Sequence, residues 1–187
     1  MDRLLARLRD ALEGVDRVDA PGSVPPSGSP VGDDLLAAFR TALESADGRL
    51  EFAEDVTAAR RLVAERWPDA VVVDGADRAS EDALRAAEVG IDRADRLIAE
   101  TGTVVRSYAD RAAARVALIP PVSVFLAPLS ALVRDLPAAL EEVAATHGRG
   151  RAYTVLVTGP SRTADIEKQL VIPAHGPREL LVVLYGE

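Results

Sequence analysis

The sequence predicts an α/β fold, a mainly parallel twisted sheet flanked by helices. Three observations carry that expectation. Short apolar runs alternate along the chain with stretches of helical periodicity. Several of the runs are apolar at consecutive positions, as in strands buried on both faces of a parallel sheet. The 187 residues are 48% apolar and 28% charged, enough for one domain with a real core.

The elements follow in order. Leu4, Leu5, Leu8 and Leu12 recur at helical spacing, so residues 2–13 read as an amphipathic helix stopped at Gly14. Residues 20–32, APGSVPPSGSPVG, have the composition of a linker. The chain thus divides into an N-terminal helical arm (1–19), a linker (20–32) and an α/β domain (33–187). The arm either packs on the chain's own core or serves a partner or an exchanged dimer.

Beyond the linker, Asp33 or Asp34 can cap a helix through Ser45, and Leu50–Phe52 is a strand. Asp55 can cap a helix reaching Trp67, which Pro68 ends. Ala70–Val73 reads as a buried strand, 81–88 as a helix and Glu88–Ile91 as a strand. A short helical or irregular piece leads to the strand Thr103–Arg106. Arg115–Ile119 and Val122–Leu126 follow as strands. Leu129, Leu132, Val133, Leu136, Leu140 and Val143 form one helical stripe, which Pro137 should kink. Tyr153–Val157 and Glu179–Tyr185 close the chain. Tyr153–Val157, apolar on both faces, is expected at the centre of the sheet.

Composition excludes several function classes. A net charge of -8 argues against nucleic acid or an anionic membrane as main partner, since a polyanion needs a basic face. The absence of cysteine excludes disulfides and thiolate ligation of an iron–sulfur cluster by this chain. Two histidines, His147 and His175, are few for a metal site. No run approaches the ~20 apolar residues of a membrane span. The charged start lacks a signal-peptide core, so a cytoplasmic location is expected.

Three segments could carry chemistry. In VLVTGPSRTADIEKQL (155–170) an apolar run stops at Gly159-Pro160, a polar turn Ser161-Arg162-Thr163 follows, and a helix is expected from Ala164. Free backbone N–H groups, two hydroxyls, Arg162 and the positive helix end would make an anion cup. The same pattern is also an ordinary capped helix, with Asp165 and Glu167 favouring its dipole. In ADRLIAETGTVV (94–105), Gly102 would let a ligand approach the backbone, with Thr101 and Thr103 beside it. Glu100 could be a base or nucleophile if desolvated, or a carboxylate capping a turn. In AHGP (174–177), His175 could act as acid, base or donor, or be structural. His147 beside Gly148 is more simply a partner of a helix end.

The segments AETGTVV, GPSRTADIE and HGP, in this order and spacing, resemble the signature of the lactate utilization protein C family, built on a LUD domain. The likeness covers about residues 80–187. Pro173-Ala174 departs from the glycine and β-branched residue usual before HGP. The resemblance implies a fold similar to ribose-phosphate isomerase and coenzyme A transferases. Val89–Asp95 also resembles the sugar-binding D-G-A-D turn of those isomerases, with Arg93 in the glycine's place, although Asp92 and Asp95 also fit a surface turn with a carboxylate cap. The resemblance further implies a component of a system oxidising L-lactate to pyruvate, with iron–sulfur clusters in partner subunits and no cofactor in this chain.

Three functions compete. One is a non-redox subunit binding a small anion. Another is a stand-alone transferase or isomerase using Glu100, and the last a structural or regulatory subunit. A homo-oligomer is open to each. The site expectation is one cleft at the carboxyl edge of the sheet. Glu100 and His175 are its candidate catalytic residues. Thr101, Gly102, Thr103, Gly159, Ser161, Arg162, Thr163 and Asp165 are its candidate ligand-binding residues.

Overall fold

The computed structural model describes residues 31–75, 79–147, 153–161, 163–164, 170–171 and 176–186. The arm, the linker up to residue 30, Arg162, Asp165 and His175 lie outside the described residues.

The chain starts as expected. Asp34 Oδ1 accepts from the Ala37 N–H at 2.9 Å and caps helix α1 (Leu35–Ser45). Strand β1 (Arg49–Ala53) follows, and then α2 (Val56–Arg66), capped by Asp55 through Ala58 N. Next come β2 (Val72–Asp74), α3 (Glu81–Ala86), β3 (Val89–Arg93), β4 (Arg96–Ile98) and β5 (Thr103–Tyr108). A short helix α4 (Arg115–Leu118) leads into β6 (Val122–Pro128). A 3-10 turn (Leu129–Ala131), β7 (Leu132–Val133), α5 (Leu136–His147) and β8 (Tyr153–Val157) come after it. The described elements end with β9 (Thr163–Ala164), β10 (Leu170–Val171) and β11 (Glu179–Tyr185).

Five strands form an all-parallel sheet in the order β1-β11-β6-β3-β2. Its two faces alternate along each strand. Leu181, Val183, Val124, Leu126, Val89 and Ile91 pack under α2 at Ala59 and Val63. Leu180, Val182, Leu184, Phe125 and Ala127 pack on the other face against Phe39 and Leu43 of α1 and against Leu97 and Val104. Leu97 and Val104 belong to a second sheet, ordered β7-β4-β5-β8, in which β5 is antiparallel to both neighbours. Helix α5 covers its outer face through Ala139 and Val143 on Ile98, Val105 and Val133.

Several local expectations are corrected. Tyr153–Val157 is not central: among the described residues it is the edge strand of the second sheet, pairs with β5 alone, and leaves Leu156 46% exposed. The centre of the parallel sheet is β6, and its neighbour β11 is fully enclosed from Leu180 to Leu184. Consecutive apolar residues thus mark two-sided burial in β11 but not in β8, since periodicity reports side-chain chemistry and not the presence of neighbours. Val71 and Val72 are likewise exposed, because β2 is an edge. Arg115–Leu118 is helical: Ile119 N donates to Arg115 O, closing a turn that a β-branched, alanine-containing run also permits. The stripe from Leu129 to Val143 is broken into turn, strand and helix. Pro137 does not kink α5, because it sits in the first turn, where no N–H is needed. Residues 96–98, expected to be helical or irregular, form β4.

Candidate functional site

The turns singled out from the sequence sit at one end of the second sheet. After β4, Gly102 N donates to Ile98 O at 2.9 Å and Gly102 takes φ +64°, a left-handed turn that glycine enters without cost. An added Cβ would lie 2.2 Å from Leu43 N. The close backbone approach at Gly102 is therefore made by helix α1. Gly159, at φ +79°, does the same after β8: its Cβ would fall 2.1 Å from Ala46 O. Both turns are pinned to the end of α1.

Between them runs a line of hydroxyls. Thr101 Oγ1 lies 2.7 Å from Thr103 Oγ1, which lies 2.6 Å from Thr158 Oγ1. Thr103 is buried and Thr101 exposed. Beyond Thr158, the Ser161 N–H donates to Pro177 O at 2.8 Å, and Gly176 (φ +95°) lies so close that its Cβ would meet the Ser161 side chain. A cavity of about 430 Å³ opens here, in the size range of small-molecule pockets. Thr158, Gly159, Pro160 and Ser161 form one wall, Gly176 and Pro177 another, and Leu118, Leu156, Val157 and Leu180 the apolar remainder.

The structure thus brings Gly159 and Ser161 into the cavity and links Thr101 and Thr103 to its wall through Thr158. Glu100, Thr101, Gly102 and Thr103 do not line it. Glu100 is partly exposed, and its N–H donates to Arg134 O at 3.0 Å, beside β7. Arg162, Asp165 and His175 lie outside the described residues, and only the backbone of Thr163 is described.

Two expectations about this site need correction. The cavity is not at the carboxyl edge of the parallel sheet. Pro177 and Leu180 stand at the amino end of β11, because β8 belongs to the other sheet and runs down to that edge. No helix starts at Ala164: Thr163 and Ala164 pair antiparallel with Val171 and Leu170. The Ser161 N–H is also already engaged. That N–H is thus committed to the turn, while Arg162 and residues 165–169 of the expected anion cup lie outside the described residues.

The carboxyl edge holds a different cluster, which sequence reasoning undervalued. Asp92, near the end of β3, is only 3% exposed and not on a surface turn. Its Oδ1 accepts from Arg93 N at 2.7 Å, and its Oδ2 from the Tyr108 hydroxyl at 2.8 Å. Arg106 Nε lies 3.3 Å from Asp92 Oδ1, an ion pair without hydrogen-bond geometry. Arg106 Nη1 donates to Asp95 Oδ1 at 2.7 Å, and Ser107 N to Asp95 Oδ2 at 2.6 Å. Burial pushes the Asp92 carboxyl above its usual range, with Asp74 adding to it, although Arg106, the Arg93 N–H and Tyr108 pull the other way. Burial and the Asp92 charge push the Tyr108 hydroxyl well above its ordinary value, so it stays a donor. The short Asp92-x-x-Asp95 spacing was visible. The missing signal was its pairing with Arg106-x-Tyr108, two residues apart on β5 and so on one face of that strand.

Among the described residues there is no cluster able to hold a metal ion, and no helix is long and apolar enough to cross a membrane.

A model of the LUD domain matches residues 48–185, and the chain belongs to that family. It is similar to proteins named lactate utilization protein C. That of Shouchella clausii is 33% identical over 54% of this chain and 45% of its own length. That of Macrococcus caseolyticus is 39% identical over 49% and 41%. That of Bacillus subtilis is 31% identical over 60% and 49%. The chain spans about half the length of the curated relatives it matches. The crystal structure of a DUF162 family protein from Deinococcus radiodurans shares the fold, with TM-score 0.61, 20% identity, 81% of this chain covered and 96% of that one.

Proposed function

We propose that this LUD-domain protein serves lactate utilization as a non-redox component that holds a small organic anion in the cavity beside Ser161. The observation that carries the reading is the cavity itself, lined by Gly159–Ser161 and by Gly176 and Pro177, which belong to two of the signature segments. It offers hydroxyls on one side and leucine side chains on the other, as a small hydroxy- or keto-carboxylate requires. Two further candidate groups are sequence neighbours of residues that line it. Arg162 follows Ser161, and His175 precedes Gly176. A guanidinium supplies the bidentate partner of a carboxylate. The names of the relatives supply the process. The chain carries no cysteine and so supplies no thiolate ligand for an iron–sulfur cluster, which fits a non-redox role.

A stand-alone transferase or isomerase built on Glu100 has less support. That carboxylate is partly exposed and does not line the cavity.

Thermal-shift titration with L-lactate, pyruvate and phosphate tests the reading on wild type, Ser161→Ala and Arg162→Ala. A carboxylate at a hundredfold excess over its Kd should stabilise wild type by about 2.7 kcal/mol, a rise of roughly 5–10 °C. Both variants should melt near the wild-type temperature without ligand and rise less with it. Equal rises in all three proteins would remove Ser161 and Arg162 from the site. A response to phosphate alone would replace the carboxylate as the ligand class.

A further inference from the structure

We infer, resting on the carboxylate reading of the cavity, that Thr158 is a ligand-contacting hydroxyl and that Thr103 is a positioning residue which makes it a donor. Thr101 Oγ1, Thr103 Oγ1 and Thr158 Oγ1 stand in line, 2.7 and 2.6 Å apart. The ends differ from the middle. Thr101 and Thr158 are exposed, and Thr158 lines the cavity. Thr103 is buried and does not line it. Whatever Thr103 does for a ligand, it does through Thr158.

The hydrogens of this line can be counted. A hydroxyl carries one hydrogen and accepts up to two. Three hydroxyls joined by two hydrogen bonds use two hydrogens and leave one over. The spare hydrogen does not stay on Thr103. That side chain is buried, and among the described residues its hydroxyl has only Thr101 and Thr158 to bond, so an idle hydrogen there would forfeit a hydrogen bond away from water. Two arrangements are left. In one, Thr101 donates to Thr103 and Thr103 to Thr158, and the spare hydrogen stands on Thr158 at the cavity. In the other the line runs backwards, and the spare hydrogen stands on Thr101 at the surface. Both contacts admit either direction.

A carboxylate only accepts, so it selects the first arrangement. Each hydrogen bond then polarises the next, and the last one, to a charged acceptor, is the strongest of the series. Thr101 has the opposite influence from Thr103. It is the partner that lets the line run backwards and take the hydrogen away from the cavity.

Calorimetric titration of the full chain with L-lactate and with pyruvate tests this on wild type and single variants. Thr158→Val removes the donor and should weaken binding about tenfold. Thr103→Val leaves Thr158 unaligned and unpolarised, for a loss of about threefold, and Thr103→Ser should restore the wild-type value. Thr101→Val removes the backward arrangement, so binding should tighten, by up to about twofold. Wild-type affinity in Thr158→Val or in Thr103→Val overturns the inference and leaves the carboxylate reading standing. A loss that persists in Thr103→Ser overturns it too, since the hydroxyl would not be its cause. So does a Thr101→Val variant as weak as Thr103→Val, which would make the shape of the turn decisive. If wild type binds neither acid, the carboxylate reading fails and the inference falls with it. Melting temperatures without ligand separate folding from binding. Should Thr103→Val not fold, Thr158→Val and Thr101→Val, both at exposed positions, decide by the opposite signs of their effects.

Discussion

The two ends of the second sheet show how one scaffold treats neutral and charged polar groups. At the end near α1, the polar groups are the hydroxyls of Thr101, Thr103 and Thr158, next to a cavity. At the other end they are Asp92, Asp95, Arg106 and Tyr108, closed upon one another. Hydroxyls both donate and accept and carry no net charge, so these satisfy one another in a line that ends at the cavity wall with Thr158. A buried charge without a partner costs several kcal/mol, so every buried charge is committed to a neighbour. The denser chemistry is therefore the clamp joining β3 to β5, and the plainer end keeps room to bind.

Both ends are rigid by this account, and the strongest challenge to it is Gly102→Ala. The methyl group would need a strained positive φ and would run into the backbone of α1. Overpacking and strain together should cost about 4 kcal/mol, read as a fall in the urea midpoint at unchanged slope. A loss below about 1 kcal/mol would mean that α1 gives way, and that the hydroxyl end is soft instead of pinned.

Next in size is the clamp. Arg106 is largely buried, pairs with Asp92 and Asp95 and lies over the Tyr108 ring at 5.2 Å. Burial alone would lower its basicity, but the two carboxylates more than restore it, so it remains a cation. Arg106→Ala strands a buried carboxylate and should cost about 3 kcal/mol. Anion binding in the distant cavity should be unaffected at temperatures where the variant is folded. Parallel loss of binding and stability would join the two ends into one site.

The same contrast explains what could be read from the sequence. The parallel sheet was legible because β6 and β11 carry apolar runs, Val124–Ala127 and Leu180–Leu184, that are buried on both faces. Asp34 and Asp55 were legible as caps, because capping is settled within three residues. The place of β8 was not, since edge and centre differ in what lies alongside and not in the strand itself. At the hydroxyl end, the TGT and TGPS turns marked themselves by glycine and hydroxyl content. Their meeting at the amino edge was not foreseen, because it depends on β8 joining the other sheet. The clamp was the hardest to see. Asp92 and Tyr108 are sixteen residues apart and meet only through the pairing of the folded strands. A lone Asp-x-x-Asp looks the same on a surface turn as in a core.

The smallest effect sharpens the comparison most, because it asks which force governs Asp92. Burial raises its carboxyl above the ordinary value, and Asp74 adds to the rise, while Arg106, the Arg93 N–H and the Tyr108 hydroxyl oppose it. A carboxyl whose folded value exceeds its unfolded one favours folding when protonated. Its contribution is complete below the ordinary carboxylate value of about 3.9, and it is lost as pH rises through the higher folded value. Asp92 should therefore make the protein less stable toward neutral pH, against the usual trend for paired carboxylates. Asp92→Asn removes the titration and keeps an acceptor for Tyr108, so its net cost at neutral pH should stay within about 1 kcal/mol. Urea unfolding of both proteins at pH ~4.5 and ~7 isolates this group, because all other carboxylates cancel in the difference. Wild type should lose stability relative to Asp92→Asn as pH rises. A relative gain would show that the Arg106 charge outweighs burial. The clamp would then be held by attraction between its ions, and the two ends of the sheet would differ less than their burial implies.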